Sequence, residues 1–224
     1  MKRTLMFRTA LCVVAVGALL AACGPVKMGA AATVGDDRVT TSELDSTVAQ
    51  WQDEFAKNPR AGLLQQQAQQ QGQRVPYDPD SPHRSALYQL LDFKVWDEVA
   101  RQQGVTVSQG EVDRLLAGLG GQSNVAASVL ANDIPVRFTP DLARVAVIQQ
   151  QLLQRYGLVP NAQGQVDPTA QQRAAQQLRQ AYSAAAGKLK ITVNPRFGAF
   201  DPAQMTEPLR PVAYGLSKTE SGTG

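Results

Sequence analysis

The sequence predicts a mainly α-helical domain completed by a small sheet of short strands from the two ends of the domain. Apolar residues recur at three- and four-residue spacing through most of the chain, from Leu44 to Tyr182, which is the period of helices with one buried face. Alternation at every second residue, the strand period, falls near the two ends, around Val34 to Val39 and in KLKITVN at Lys188 to Asn194. Between these ends the helix boundaries are spelled out by hydroxyl, Asp or Asn residues before each run and Gly or Asn-Pro after it.

The N-terminus reads as a targeting segment. MKRTLMFR carries Lys2, Arg3 and Arg8 without an acid, and ALCVVAVGALLAA (Ala10 to Ala22) is apolar throughout. At 13 residues that run is short for the roughly 20 needed to cross a hydrocarbon core. A basic start, a short apolar stretch and small residues make a signal peptide over residues 1–22. LAAC (Leu20 to Cys23) resembles the lipobox of bacterial lipoproteins. That resemblance implies lipidation of Cys23 by diacylglycerol, with or without an N-acyl chain, and two or more acyl chains anchor stably. Residues 23–31 then form a short lipidated tether of small residues, reaching only about 25–30 Å when extended.

Each following element has a stated cause. ATVGDDRVT (Ala32 to Thr40) places two apolar pieces around Gly35-Asp36-Asp37 and predicts a strand or hairpin. Leu44, Val48, Trp51 and Phe55 share one face of a helix from Thr41 to Lys57, which Asn58-Pro59 ends. The glutamine-rich run at Leu63 to Gln73 extends a helix as far as Gly72 or forms a mobile insertion, and Pro76, Pro79 and Pro82 make the next part a loop. Ser81-Pro82 starts a second long helix, whose stripe Leu87, Leu91 and Val95 is widened by Tyr88, Leu90, Trp96 and Val99, so it is central. Gly104 closes it.

A third helix spans Gln109 to Leu119, with Val112, Leu115, Leu116 and Leu119 inward, and a weak fourth covers Asn124 to Ala131. Thr139-Pro140 caps a helix through Leu142, Val145, Ile148, Leu152 and Tyr156. Asp167-Pro168 repeats the device for a helix through Ala174, Leu178, Ala181 and Tyr182, ending near Gly187. A strand over Lys188 to Asn194 pairs with the Val34 to Val39 segment, so that the domain closes over residues 32–200. Residues 201–224 are polar, punctuated by Pro208 and Pro211, and read as a disordered tail.

VTTSELD at Val39 to Asp45 recurs as VSQGEVD at Val107 to Asp113. In each, a hydroxyl (Thr40 or Ser108) precedes a glutamate (Glu43 or Glu111) by three positions, the spacing of a capping box. Val39 with Leu44, and Val107 with Val112, supply the hydrophobic staple. Asp45 and Asp113 suit the positive end of the helix dipole. Helix initiation thus accounts for every position, and neither copy is read as an active site.

Composition narrows the function classes. The chain carries 22 basic and 19 acidic residues; removal of Lys2, Arg3 and Arg8 leaves 19 of each, so no global field favours nucleic acid. Cys12 leaves with the signal and Cys23 is acylated, so the exported domain has no free thiol or disulfide and folds on its apolar core. His83 is the single histidine, at a helix start where it is solvated, and no metal site or histidine-based triad is expected from it. The adjacent acids Asp53 with Glu54 and Asp97 with Glu98 diverge on helices and read as solvated faces. LAGLGGQSN lacks the Lys-Ser/Thr of a phosphate loop.

AATVGDDRVTTSELDSTV, a helix ending VARQQGVTVSQGEVDRLL, and a C-terminal helix followed by KITVNPRFG together resemble the N-terminal chaperone domain of the SurA family of periplasmic folding factors. The chain is similar as well to the corresponding parts of PrsA-type foldase lipoproteins, over about Ala32 to Gly198. The resemblance implies a helical domain that holds unfolded or nascent exported proteins through an apolar surface. The parvulin-type isomerase domain of full-length family members has no counterpart here, so no enzymatic activity, catalytic residue or cofactor is expected. Trp51, Phe55, Tyr88 and Trp96 are the candidate peptide-binding residues, against a plain core role; Trp96, about 100° off the Leu87 stripe, is placed on the rim of a groove.

The sequence therefore favours a non-catalytic, chaperone-like lipoprotein anchored on the extracytoplasmic face of the cell membrane, binding extended client polypeptides and no nucleic acid. The alternative is a structural or adaptor lipoprotein with one folded envelope partner; too few strands are present for a two-lobed solute-binding protein. Replacement of Cys23 by Ser is expected to release the protein from membranes or block its processing, as read by fractionation. Unchanged membrane retention would overturn the lipid anchor.

Overall fold

The computed structural model describes residues 29–71, 78, 80–120, 122–159, 165–203 and 209–212. Cys23, the signal segment and most of the tether lie outside these residues. The fold is mainly helical: β1 (Ala30–Val34), β2 (Asp37–Thr40), α1 (Thr41–Ala56), α2 (Pro59–Gln70), α3 (Pro82–Gln103), α4 (Gln109–Gly118), α5 (Gln122–Leu130), α6 (Thr139–Arg155), α7 (Pro168–Leu189) and β3 (Ile191–Val193). Short 3-10 turns at Val136–Phe138 and Pro195–Phe197 join the later elements. Among the described residues no helix is long and apolar enough to cross a membrane.

The two ends of the domain meet in one antiparallel sheet of order β2-β1-β3. Ala32 lies opposite Val193 and Val34 opposite Ile191. The central strand begins earlier than expected, because Ala30, Ala31 and Ala32 are all essentially sealed from solvent; small side chains let β1 sit close against the helices. Ala30 and Ala31 therefore belong to the fold rather than to the tether. β3 is shorter than the alternating pattern suggested, since α7 runs on through Leu189 and breaks only at Lys190, whose φ is 48°. Asn194 locks the strand end by donating its amide N–H to Ala31 O at 2.8 Å.

α3 carries the core. Leu87, Leu91, Val95 and Val99 are fully buried, as are Tyr88 and Trp96 around the helix from them. Its first half joins β1, β2, α1, Phe197 and Leu209 in one apolar cluster, and its second half joins α5, α6 and α7 in another. Ser81 caps it by accepting from Arg84 N, and Gly104 closes it in the left-handed conformation at φ 61°, which glycine adopts at no steric cost.

The cap predictions divide. Ser108 and Glu111 form the full capping box on α4. On α1 Thr40 accepts from Glu43 N at 3.1 Å, but Thr40 is the last residue of β2, opposite Ala30, and its glutamate does not complete the box. Asn58 both ends α1 and caps α2, so the glutamine-rich stretch is helical through Gln70. Thr139 is not a cap: it stands inside the first turn of α6 and donates its hydroxyl back to Val136 O at 2.6 Å. Asp167 caps α7 by accepting from Thr169 N at 2.7 Å, as its spacing predicts.

Part of the expected disordered tail returns to the domain. Leu209 is 1% exposed in the α1–α3 cluster, and Arg210 pairs with Ala199 through backbone bonds of 2.8 and 3.0 Å. The polar composition of the tail hid this apolar anchor. Gly198 makes the approach possible: its φ is 111°, and a Cβ there would stand 2.6 Å from Arg210 O. Gly198→Ala is expected to cost at least about 1–3 kcal/mol, from backbone strain alone, read as a lower urea midpoint. An unchanged midpoint would overturn the requirement for glycine at this position.

Candidate functional site

The four aromatic candidates do not form a surface. Trp96 is 1% and Tyr88 2% exposed, which corrects the placement of Trp96 on a rim. Its 100° offset carries it not out of the core but against α7, where its ring lies 5.4 Å from that of Tyr182. A helix surrounded by α1, α6, α7 and β1 has no outer face on that side. Trp51 is also buried and donates its indole N–H to Leu130 O at 2.8 Å, and Phe55 lies half-buried 5.1 Å from it. Those two pin α1 to α5, with Ala61 of α2 beneath.

Among the described residues, every buried side-chain polar atom has a hydrogen-bond partner. Tyr182 donates its hydroxyl to Asp92 at 2.8 Å, and the Trp96 indole donates to the same carboxylate. Burial pushes Asp92 up to about 7, against the pull of those two hydrogen bonds. Burial, the Asp92 carboxylate and Tyr88 all push the Tyr182 phenol up, so it stays a donor. Asp133, in the left-handed conformation at φ 58°, accepts from Gln65 at 2.8 Å. Burial raises it to about 6, opposed by hydrogen bonds from Ser85 and Gln65.

The acid pairs also divide. Asp53 and Asp97 are exposed, paired with Lys57 and Arg144. Glu54 instead accepts from Val136 N at 2.7 Å, and Glu98 is 8% exposed, held by Arg101 and Gln102. Those hydrogen bonds lower Glu98 to about 2. The expectation of solvated faces therefore fails for the inner member of each pair. His83 is half-exposed, 3.2 Å from Asp45 and stacked beside Phe197. Among the described residues no group of three His, Cys, Asp or Glu could hold a metal ion.

An open trough lies elsewhere, along α4, α5 and α6. Glu111 of α4 accepts from Gln151 of α6 at 2.9 Å, and the C-terminal half of α4 faces the start of α6. At that end Leu116, Leu119, Val125, Val129, Leu142 and Ala146 surround an apolar recess of about 170 Å³. At the other end Glu111, Arg114, Gln150, Gln151 and Gln154 line a polar cleft of about 350 Å³. Leu115 belongs to both.

The leucines of α4 were expected to point inward, yet only Val112 of that helix is buried. Leu115 and Leu116 are half-buried and Leu119 is 53% exposed. The available signal was crowding: Val112, Leu115 and Leu116 fall within ten residues of helix, with Leu119 at its C-cap. Comparison with protein-family models, characterised proteins and solved structures finds no match.

The raised carboxyls give a pH dependence whose sign is fixed. A carboxyl protonated in the folded state but ionised in the unfolded one binds more protons when folded, so stability falls with rising pH between its unfolded and folded pKa. For Asp92 that window runs from 3.8 to about 7, and for Asp133 from 3.8 to about 6. Glu98 acts oppositely, losing stability as pH falls from 4.5 to about 2. The thermal midpoint is expected to drop between pH 4 and pH 7, and Asp92→Asn to flatten that drop. Equal slopes in the two proteins would overturn the assignment to Asp92.

Proposed function

We propose that the protein is a lipid-anchored, exported chaperone-like module that holds extended segments of unfolded client proteins near the membrane, without catalysis. The observation that carries this reading is the trough of α4, α5 and α6, where Leu119 stands exposed at the mouth of an apolar recess. A recess of about 170 Å³ is below the roughly 300–1,000 Å³ of small-molecule pockets and is closer to the scale of a side chain. Polar amides continue the same trough, which suits a chain that presents both apolar side chains and backbone. The lipobox at Leu20 to Cys23 and the resemblance to SurA and PrsA N-terminal domains support the export and the class of partner.

Purified residues 24–224 are expected to suppress aggregation of several unrelated unfolded proteins at low molar excess, as followed by light scattering. Suppression confined to one protein would favour an adaptor with a dedicated partner. No suppression of any would remove the client-holding reading.

A further inference from the structure

We infer that the α4–α6 trough selects an extended peptide carrying a leucine and, two or three residues along, a carboxylate. The inference rests on the client-holding reading and names what that site would prefer. The lined stripe of α6 runs from Leu142 to Gln154, about 18 Å at 1.5 Å per residue. An extended chain at about 3.3 Å per residue covers that length in five or six residues.

The apolar end is built mainly of leucine, valine and alanine, with Asn124 and Ser128 also in its lining. Its floor is Val125, Val129 and Ala143, all buried, and its walls are Leu116, Leu119 and Leu142. A branched aliphatic side chain entering there displaces water from the recess and covers Leu119, both favourable by apolar burial. A charged side chain would meet no opposite charge there, only the neutral Asn124 and Ser128.

The other end supplies the charge complementarity. Glu111 is already occupied: its carboxylate accepts from Ser108 N, from the Ser108 hydroxyl and from Gln151. The backbone and side chain of Ser108 hold it below the usual carboxylate range. Arg114 lines the same cleft and spends its Nε on Gly110 O at 3.0 Å. Among the described residues it makes no salt bridge, and although its charge acts on Glu111 one turn before it, the outer nitrogens of its guanidinium are left for an incoming carboxylate. Gln150 and Gln154, which make no side-chain hydrogen bond among the described residues, each offer a donor and an acceptor beside it, matched to a peptide backbone. The separation of the two ends along α6, about 10 Å, sets the spacing of leucine and acid at two or three residues.

The test uses a fluorescein-labelled Gly/Ser peptide with one leucine and, three positions on, one glutamate, titrated with the mature chain by fluorescence anisotropy. Binding should weaken about tenfold when the peptide leucine becomes serine, and again in Arg114→Glu, a loss of about 1.4 kcal/mol each. A peptide with lysine in place of glutamate should recover binding to Arg114→Glu. Leu119→Glu, at an exposed position, gives a second variant expected to fold and to lose the leucine preference.

Absence of binding, or binding indifferent to both the leucine and the charge swap, overturns the proposal. A chain that binds no peptide and sediments as a dimer dissociated by Leu119→Glu assigns the trough to a second copy, and also overturns it. If both variants suppress aggregation as well as the parent does, the trough assignment falls and the client-holding reading stands. If the parent suppresses none, that reading falls by itself.

Discussion

A helix with apolar residues on every face has no side to give to water, so its neighbours must surround it. α3 comes close to this: Ala86, Leu87, Leu90, Leu91, Val95, Trp96 and Val99 are buried around its circumference, and only Asp97, Arg101 and Gln102 in its second half are exposed. α1 and β1 close on its first half, and α6 and α7 on its second. The sheet at the end of the domain follows from this arrangement. β1 and β3 arrive from opposite ends of the chain; β1 lies on α3, Ile191 and Val193 of β3 pack against the same apolar cluster, and the pairing of the strands satisfies backbone groups that would otherwise be shut away from water. The same constraint explains the alanines of β1, which are small enough for a strand to lie flat against helices already in contact.

The polar groups admitted to this core act as fixed spacers between elements. Tyr182 on α7 reaches Asp92 on α3, Gln65 on α2 reaches Asp133 after α5, and Glu54 on α1 meets Val136 N. Each joins elements distant in sequence, and each is answered, so the desolvation of one group is offset by its partner. Their cost appears in the titration instead. A neutral Asp92 is compatible with its surroundings and an ionised one is not fully compensated by two donors, which is why burial outweighs the hydrogen bonds there.

Much of the fold was legible because its signals are local. Ser81-Pro82, Gly104, Asp167-Pro168 and the Ser108–Glu111 box specify helix ends within a few residues, and the structure uses each as written. What failed depends on tertiary context. Thr139 is hydroxyl-bearing and followed by proline, yet the 3-10 turn before it already supplies the helix start. Leu209 lies in a polar tail without periodicity, and only the space beside Gly198 reveals its role. The candidate site was less legible still. Aromatic residues on a helix stripe look alike whether they line a groove or fill a core, and Trp96 was settled by α7, which lies some ninety residues away in sequence. The trough is built by three helices, and its best sequence signal was the surplus of leucine on α4.

The two similar heptads show how one local grammar serves two ends. At Val39 to Asp45 the motif sits at the seam of β2 and α1; Val39 and Leu44 are both buried, and Thr40 divides its duties between strand pairing and capping. At Val107 to Asp113 the motif is complete within itself, with Ser108 and Glu111 answering each other. A helix whose first-turn amides are met locally depends less on its neighbours for that end. α4 can therefore stand with Val112 as its one buried residue and keep its leucines toward solvent. The box engages the Glu111 carboxylate in hydrogen bonds, although Arg114 still acts on its charge. Helix initiation and the proposed recognition of a carboxylate thus meet on α4, where Ser108 and Gln151 hold Glu111 and Arg114 keeps its outer nitrogens for a partner.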